Sequence, residues 1–127
     1  MLQKIRKVLK NEKRIIFAYL FGSALKYPKY SRDVDIAIFV KGKVKPGYEL
    51  ELALKVEREI KKPTEIVLLN DKPPLIISEV LRNCRLIFSR DEKVRVKFET
   101  SALREILDLN ELMNEFDKMR FERYGVR

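Results

Sequence analysis

One stretch, residues 21–40 (FGSALKYPKYSRDVDIAIFV), constrains the chain more than any other. A β-branched and aromatic run, RIIFAYLF at 14–21, ends at Gly22-Ser23 and predicts a strand buried on both faces. A basic loop follows over Lys26–Arg32, where Tyr27, Pro28 and Ser31 oppose helix continuation after a short turn at 23–26. Asp33 then opens a second predicted strand to Val40, and nine residues separate Ser23 from Asp33. Strand alternation places Asp33 and Asp35 on one face. Ile36, Ile38 and Val40 are expected to join that face only where its edge is polar and the rest is core.

The remaining elements are legible from periodicity. Leu2, Ile5, Val8 and Leu9 predict a short amphipathic helix over 2–13. KGKVKPG at 41–47 reads as a loop. Leu52, Ala53, Val56 and Ile60 predict a helix over 48–62, with expected ion pairs Glu51–Lys55 and Glu57–Lys61 and a stop at Pro63. Thr64–Asn70 reads as a third strand, and Asp71 with Pro73-Pro74 as a helix start. Ile76, Ile77, Val80, Leu81 and Cys84 recur at helical spacing, and Arg85–Ser89 suits a fourth strand. Ser89–Glu92 fits a capping box, followed by one long helix, or two broken near Asp108–Asn110, reaching about Tyr124. The order predicts one α/β (α+β) domain over 1–127, with a small mixed β-sheet, flanking helices, a core at about 10–90 and a helical C-terminal tail at about 91–124.

Composition limits the chemistry. The 127 residues contain no histidine and one cysteine, Cys84. Ser-His-Asp, Cys-His and His-ligated zinc schemes are excluded, leaving carboxylates, hydroxyls, Lys, Arg or a cation held by oxygen. The opening residues lack the apolar core of a secretory signal, and no apolar run approaches a membrane span, so a cytoplasmic protein is expected. The formal charge is +9, and residues 1–46 carry twelve Lys/Arg against three acids. That bias predicts attraction of a phosphate-bearing ligand to the third containing the Asp pair.

Two carboxylates on one strand face repel each other unless a cation lies between them. Mg²⁺ takes hard oxygen ligands, often one or two carboxylates with substrate phosphates. Glu65 opens the third strand. If that strand lies beside Asp33–Val40, Glu65 approaches the aspartates and permits a second ion. Glycine at 22 permits close approach of a phosphate, with Ser23 and neighbouring backbone N–H groups as donors.

Buried strand, Gly-Ser, spacer, Asp-x-Asp opening a strand, then a helix and a strand-borne acid: this combination resembles the minimal nucleotidyltransferase (MNT) family of the polymerase-beta-like superfamily, over about residues 10–90. The resemblance implies that Gly22 and Ser23 hold a triphosphate, that Asp33 and Asp35 bind Mg²⁺, and that Glu65 helps bind metal or accepts a proton. Two Mg²⁺ ions and ATP are the implied cofactor and substrate. The spacer is one residue shorter than is usual in the family. Arg32 stands where a Ser commonly precedes the first Asp, and with Lys26 and Lys29 is a candidate phosphate contact. Glu65 replaces the usual Asp. The small single-domain members resemble antitoxins that transfer AMP to a tyrosine of a HEPN-type toxin. A HEPN toxin is therefore the implied partner, ahead of RNA or a small-molecule acceptor; masking without catalysis is the alternative. Leu109, Leu112, Met113, Phe116, Met119, Phe121 and Tyr124 give the tail more apolar surface than one face needs, which predicts a partner or a second copy on it.

Overall fold

A computed structural model describes residues 1–27 and 30–124, excluding the side chains of 120–124. The expectations for Lys29, and for the side chains of Phe121 and Tyr124, lie outside the described residues. The elements run α1 (Leu2–Lys10), β1 (Ile15–Phe21), α2 (Ser23–Lys26), β2 (Val34–Val40), α3 (Tyr48–Ile60), β3 (Thr64–Leu68), a 3-10 turn (Leu69–Asp71), α4 (Pro74–Arg82), β4 (Cys84–Ser89) and α5 (Glu92–Tyr124). The sheet order is β3-β2-β1-β4. β1 is antiparallel to β2 and to β4, while β2 and β3 are parallel, so the sheet is mixed as expected.

Helices cover both faces. α1 and α3 bury Ile5, Leu9, Leu52, Ala53 and Val56 against Ala18, Leu20, Val34, Ile36, Ile38 and Val40. α4 and α5 cover the other face, where Phe17, Tyr19, Ala37, Ile77, Val80 and Ala102 are buried. Phe17 stacks on Phe39 at 4.9 Å, and Phe98 of α5 lies 5.1 Å from Phe39. Ile36, Ile38 and Val40 thus lie on the face opposite Asp35, as their even spacing from Val34 dictates. A register irregularity between Ile15 and Phe17 lets Ile15 and Ala18 share a face despite their odd separation.

Several local expectations give way to tertiary contacts. Lys55 hydrogen-bonds Glu12 of the α1–β1 connection at 2.8 Å instead of Glu51. Glu57 accepts the backbone N–H of Thr64 at 2.9 Å, and Lys61 closes α3 in the left-handed region at φ 56°. The third strand stops at Leu68 because Asn70 turns back to bond Val40 on both its N–H (3.0 Å) and its C=O (2.8 Å). Asp71 caps no helix; Pro73 precedes α4 and Pro74 opens it. Cys84 begins β4 rather than ending α4. Asp91, not Ser89, caps α5, its Oδ1 accepting from Val94 N–H at 3.2 Å, because Ser89 is held in the sheet opposite Phe17. α5 continues without a break through Asp108–Asn110.

Candidate active site

The register assembles the site. In the antiparallel pair, Phe21 lies opposite Asp35; in the parallel pair, Asp35 lies opposite Glu65. The end of β1, the Gly22-Ser23 turn and the beginnings of β2 and β3 therefore share one end of the sheet. Asp33 sits just before β2, exposed; Asp35 is half-buried on the strand; Glu65 is exposed one residue into β3. Val34 N–H donates to Pro63 C=O at 2.9 Å, and Glu57 secures the start of β3. These two bonds set how far β3 can slide along β2.

Gly22 has a role that the sequence did not disclose. Its φ is +78°, a conformation L side chains rarely adopt, and a Cβ there would fall 2.3 Å from Asp35 Oδ2. Glycine is needed because the Asp35 carboxylate occupies the space beside the turn, clamped between strand and loop. Burial pushes the Asp35 carboxyl above the ordinary range, and the carboxylates of Glu65 and then Asp33 push it further. Glu65 and Asp33 thus both act electrostatically on Asp35.

Ser31 is the residue that sequence reasoning missed as a site element. It is 9% exposed in an otherwise solvated loop. Its hydroxyl donates to Asp33 C=O at 2.5 Å, so its only proton is committed and Ser23 Oγ donates to it at 3.0 Å. A Ser23–Ser31–Asp33 relay therefore closes the loop between turn and acid. The available signal was its place two residues before Asp33, next to Arg32, which occupies the position where Ser is usual. Arg32 and Lys26 are both exposed on this loop.

The charge bias separates by topology. Ile15 pairs with Val40 at the far end of the sheet, so Lys10, Lys13 and Arg14 before β1, and Lys41, Lys43 and Lys45 after β2, gather away from the acids. The expectation that the basic third concentrates positive charge at the site is corrected accordingly: among the described residues, only Lys26 and Arg32 of residues 22–35 are cationic.

The donor set matches a hard divalent cation in chemistry. Asp33 and Asp35 offer oxygen ligands, and a cation there would offset both the burial of the Asp35 carboxylate and the charges of Glu65 and Asp33 beside it. Among the described residues no three carboxylates converge into a ready-made metal cluster.

This sheet order, with helices on both faces, brings Asp33, Asp35 and Glu65 to the Gly-Ser end. The Polymerase beta, Nucleotidyltransferase family matches residues 3–93, and the chain belongs to that family. No curated protein matches by sequence. Among solved structures, a chain of a toxin–antitoxin complex with AMP-PNP is similar at 20% identity and TM-score 0.77, covering 94% of this chain and 98% of that one. A chain from a complex of tri-AMPylated Shewanella oneidensis HEPN toxin with MNT antitoxin is similar at 19% identity and TM-score 0.71, covering 94% and 99%. A further Shewanella oneidensis structure is similar at 16% identity and TM-score 0.68, covering 91% and 96%. At these identities the likeness establishes the fold. Among the described residues no helix is long and apolar enough to cross a membrane.

Proposed function

We propose that the protein transfers AMP from ATP to a hydroxyl, a tyrosine of a HEPN-type toxin, and so acts as the antitoxin of a toxin–antitoxin pair. The observation that carries this reading is the Asp35 carboxylate clamped against Gly22, its pKa raised by burial and then by the nearby Glu65 and Asp33. The structural likeness to complexes containing AMP-PNP and an AMPylated HEPN toxin supports the nucleotide and the acceptor.

In this reading Asp33 and Asp35 would hold Mg²⁺. The bound ion would supply charge neutralisation at the phosphates. The Gly22-Ser23 turn offers backbone N–H groups to the triphosphate, and Arg32 and Lys26 reach it from the loop. The acceptor oxygen attacks the α-phosphorus, the α–β bridging bond breaks and pyrophosphate leaves. The acceptor proton passes to Glu65 or to water. The chain supplies position and charge, not a covalent intermediate.

The shortened loop, and the lack of a ready-made three-acid cluster among the described residues, favour one second reading: an antitoxin that masks its partner without transfer. Incubation with α-labelled ATP, Mg²⁺ and the HEPN partner separates the two. Label on the partner that disappears with Asp33→Ala/Asp35→Ala establishes transfer. A stable complex with either form and no label establishes masking.

A further inference from the structure

The proposed site leaves the lysines and arginines of the far pole without a task. Three connections meet there. Ile15 pairs with Val40, Lys41 N–H donates to Arg14 C=O at 2.8 Å, and Arg90 N–H donates to Ile16 C=O at 2.7 Å. Residues 10–14, 41–45 and 90–93 therefore lie side by side, at three adjacent strand ends that span roughly 10 Å at about 4.8 Å per spacing. They hold eight Lys or Arg against three acids. Two of the cations tie the connections together: Arg14 Nη1 donates to Lys43 C=O at 2.6 Å, and Arg90 donates to Lys10 C=O. Each of the three acids is already engaged. Glu12 accepts from Lys55, Asp91 caps α5, and Glu92 accepts from Arg95. Lys10, Lys13, Lys41, Lys43, Lys45 and Lys93 are exposed, and among the described residues none of them forms an ion pair.

We infer that this pole is a second binding surface, which grips the phosphodiester backbone of a nucleic-acid duplex. Cations spaced within about one Debye length, roughly 8–10 Å at moderate salt, repel one another, and their fields add outside the protein. No ion pair of those six lysines offsets the repulsion. A row of phosphates offsets it and gains by releasing its own counterions. The surface also lacks what other occupants need. The three connections expose no large hydrophobic side chain, and Lys is depleted where proteins dock through an apolar centre. For the same reason nothing there can insert into a lipid surface. Unpaired bases find no exposed ring to stack on: Phe88, 5.4 Å from the Arg90 guanidinium, is buried. Paired bases with an outward backbone fit a surface of charge alone. Glu49 and Asp71 mark its border, lining a cleft with Lys43 and Lys45.

The inference is independent of the proposed transfer activity, since no residue of that site lies at this pole. Fluorescence anisotropy of the whole chain with a short labelled RNA duplex, and with the DNA duplex of the same sequence, tests it. Saturable binding with a Kd on the order of micromolar is expected at low salt, weakening steeply as salt rises. Lys41→Gln/Lys43→Gln/Lys45→Gln should weaken it at least about tenfold. The same triple should flatten the slope of log affinity against log salt by about 2–3, since each phosphate contact contributes about 0.9. Arginine at those three positions should bind like the wild type. Arg82→Gln/Arg104→Gln/Lys118→Gln removes equal charge elsewhere and should change affinity less than about twofold. All these side chains are exposed, so circular dichroism should not change. Binding of both duplexes alike supports a backbone contact, and a preference for one shows which nucleic acid fits. Absence of binding to either duplex at low salt would overturn the inference. So would equal losses from the two glutamine triples, or a lysine triple that binds the duplexes normally but fails to bind anionic vesicles or the HEPN partner.

Discussion

The two ends of one sheet solve opposite problems. At the end formed by Phe21, Gly22, Asp35 and Glu65, backbone in the left-handed region presses against a carboxylate that is already crowded by two others. At the other end, side chains satisfy backbone. The Asn70 amide bonds both polar groups of Val40, Arg14 reaches Lys43 C=O at 2.6 Å, and Arg90 reaches Lys10 C=O. The distal end is stapled; the acidic end is held under electrostatic tension. The difference indicates where stability has been given up for function, a frequent feature of active sites.

The largest effect expected from breaking this contrast is on transfer. Asp33→Ala or Asp35→Ala should lower the rate by about a hundredfold or more, the scale of losing one charge-stabilising group, with the fold retained by circular dichroism. Full transfer by either variant would refute the site assignment. Gly22→Ala comes next. It combines an unfavourable φ with a 2.3 Å approach to Asp35 Oδ2, so a loss of about 1–3 kcal/mol in denaturant unfolding is expected, together with impaired transfer. Gly42→Ala is its matched control at the other end: φ is also positive, at +74°, but a Cβ would meet nothing within 4 Å. It should cost only the backbone strain and leave transfer intact. If the two alanines behaved alike, the Gly22–Asp35 clamp would lose its support.

Asn70→Ala attacks the stapled end. It strands the N–H and C=O of Val40, a buried residue, and should cost about 1–3 kcal/mol with kcat unchanged. Asp35→Asn has the smallest expected effect on stability and the most informative sign. Because folding raises the Asp35 pKa, the ionised carboxylate opposes folding above its unfolded value, and that cost fades as pH falls through the folded value. The asparagine variant should therefore melt above the wild type at neutral pH, and the gap should close on acidification. A wild type that melts higher at neutral pH would contradict the crowding of the three acids.

Much of this was legible in the chain, for definite reasons. The β-branched run ending at Gly22 and the apolar stripe of Leu52, Ala53 and Val56 are local patterns that tertiary packing reinforces. Asp33 and Asp35 were identifiable because paired acids beside a core strand are expensive unless they have a task. What escaped was whatever depends on a neighbour distant in sequence. Nothing near Gly22 announces that Asp35 will fill its missing Cβ. Nothing near Asn70 announces Val40. The six far-end cations looked close to the Asp pair because the sequence is linear, whereas β1 and β2 carry them to the opposite pole. Ser89 resembled a cap until its strand pairing claimed it, leaving its buried hydroxyl without a hydrogen-bond partner among the described residues.

Three bonds described by the fold span some eighty positions: Arg6 to Ile87 C=O, Tyr19 to Glu99, and Arg90 to Lys10. Tyr19 lies in the central strand, and burial followed by the Glu99 carboxylate drives its phenol far above its usual pKa, so it meets α5 as a neutral donor. The opening helix and strand thus wait for residues near the other side of the domain before they are complete. Closing so wide a loop is slow relative to local helix formation. During synthesis, β1 leaves the ribosome with its aromatic face uncovered, and it acquires its cover only once the tail has emerged.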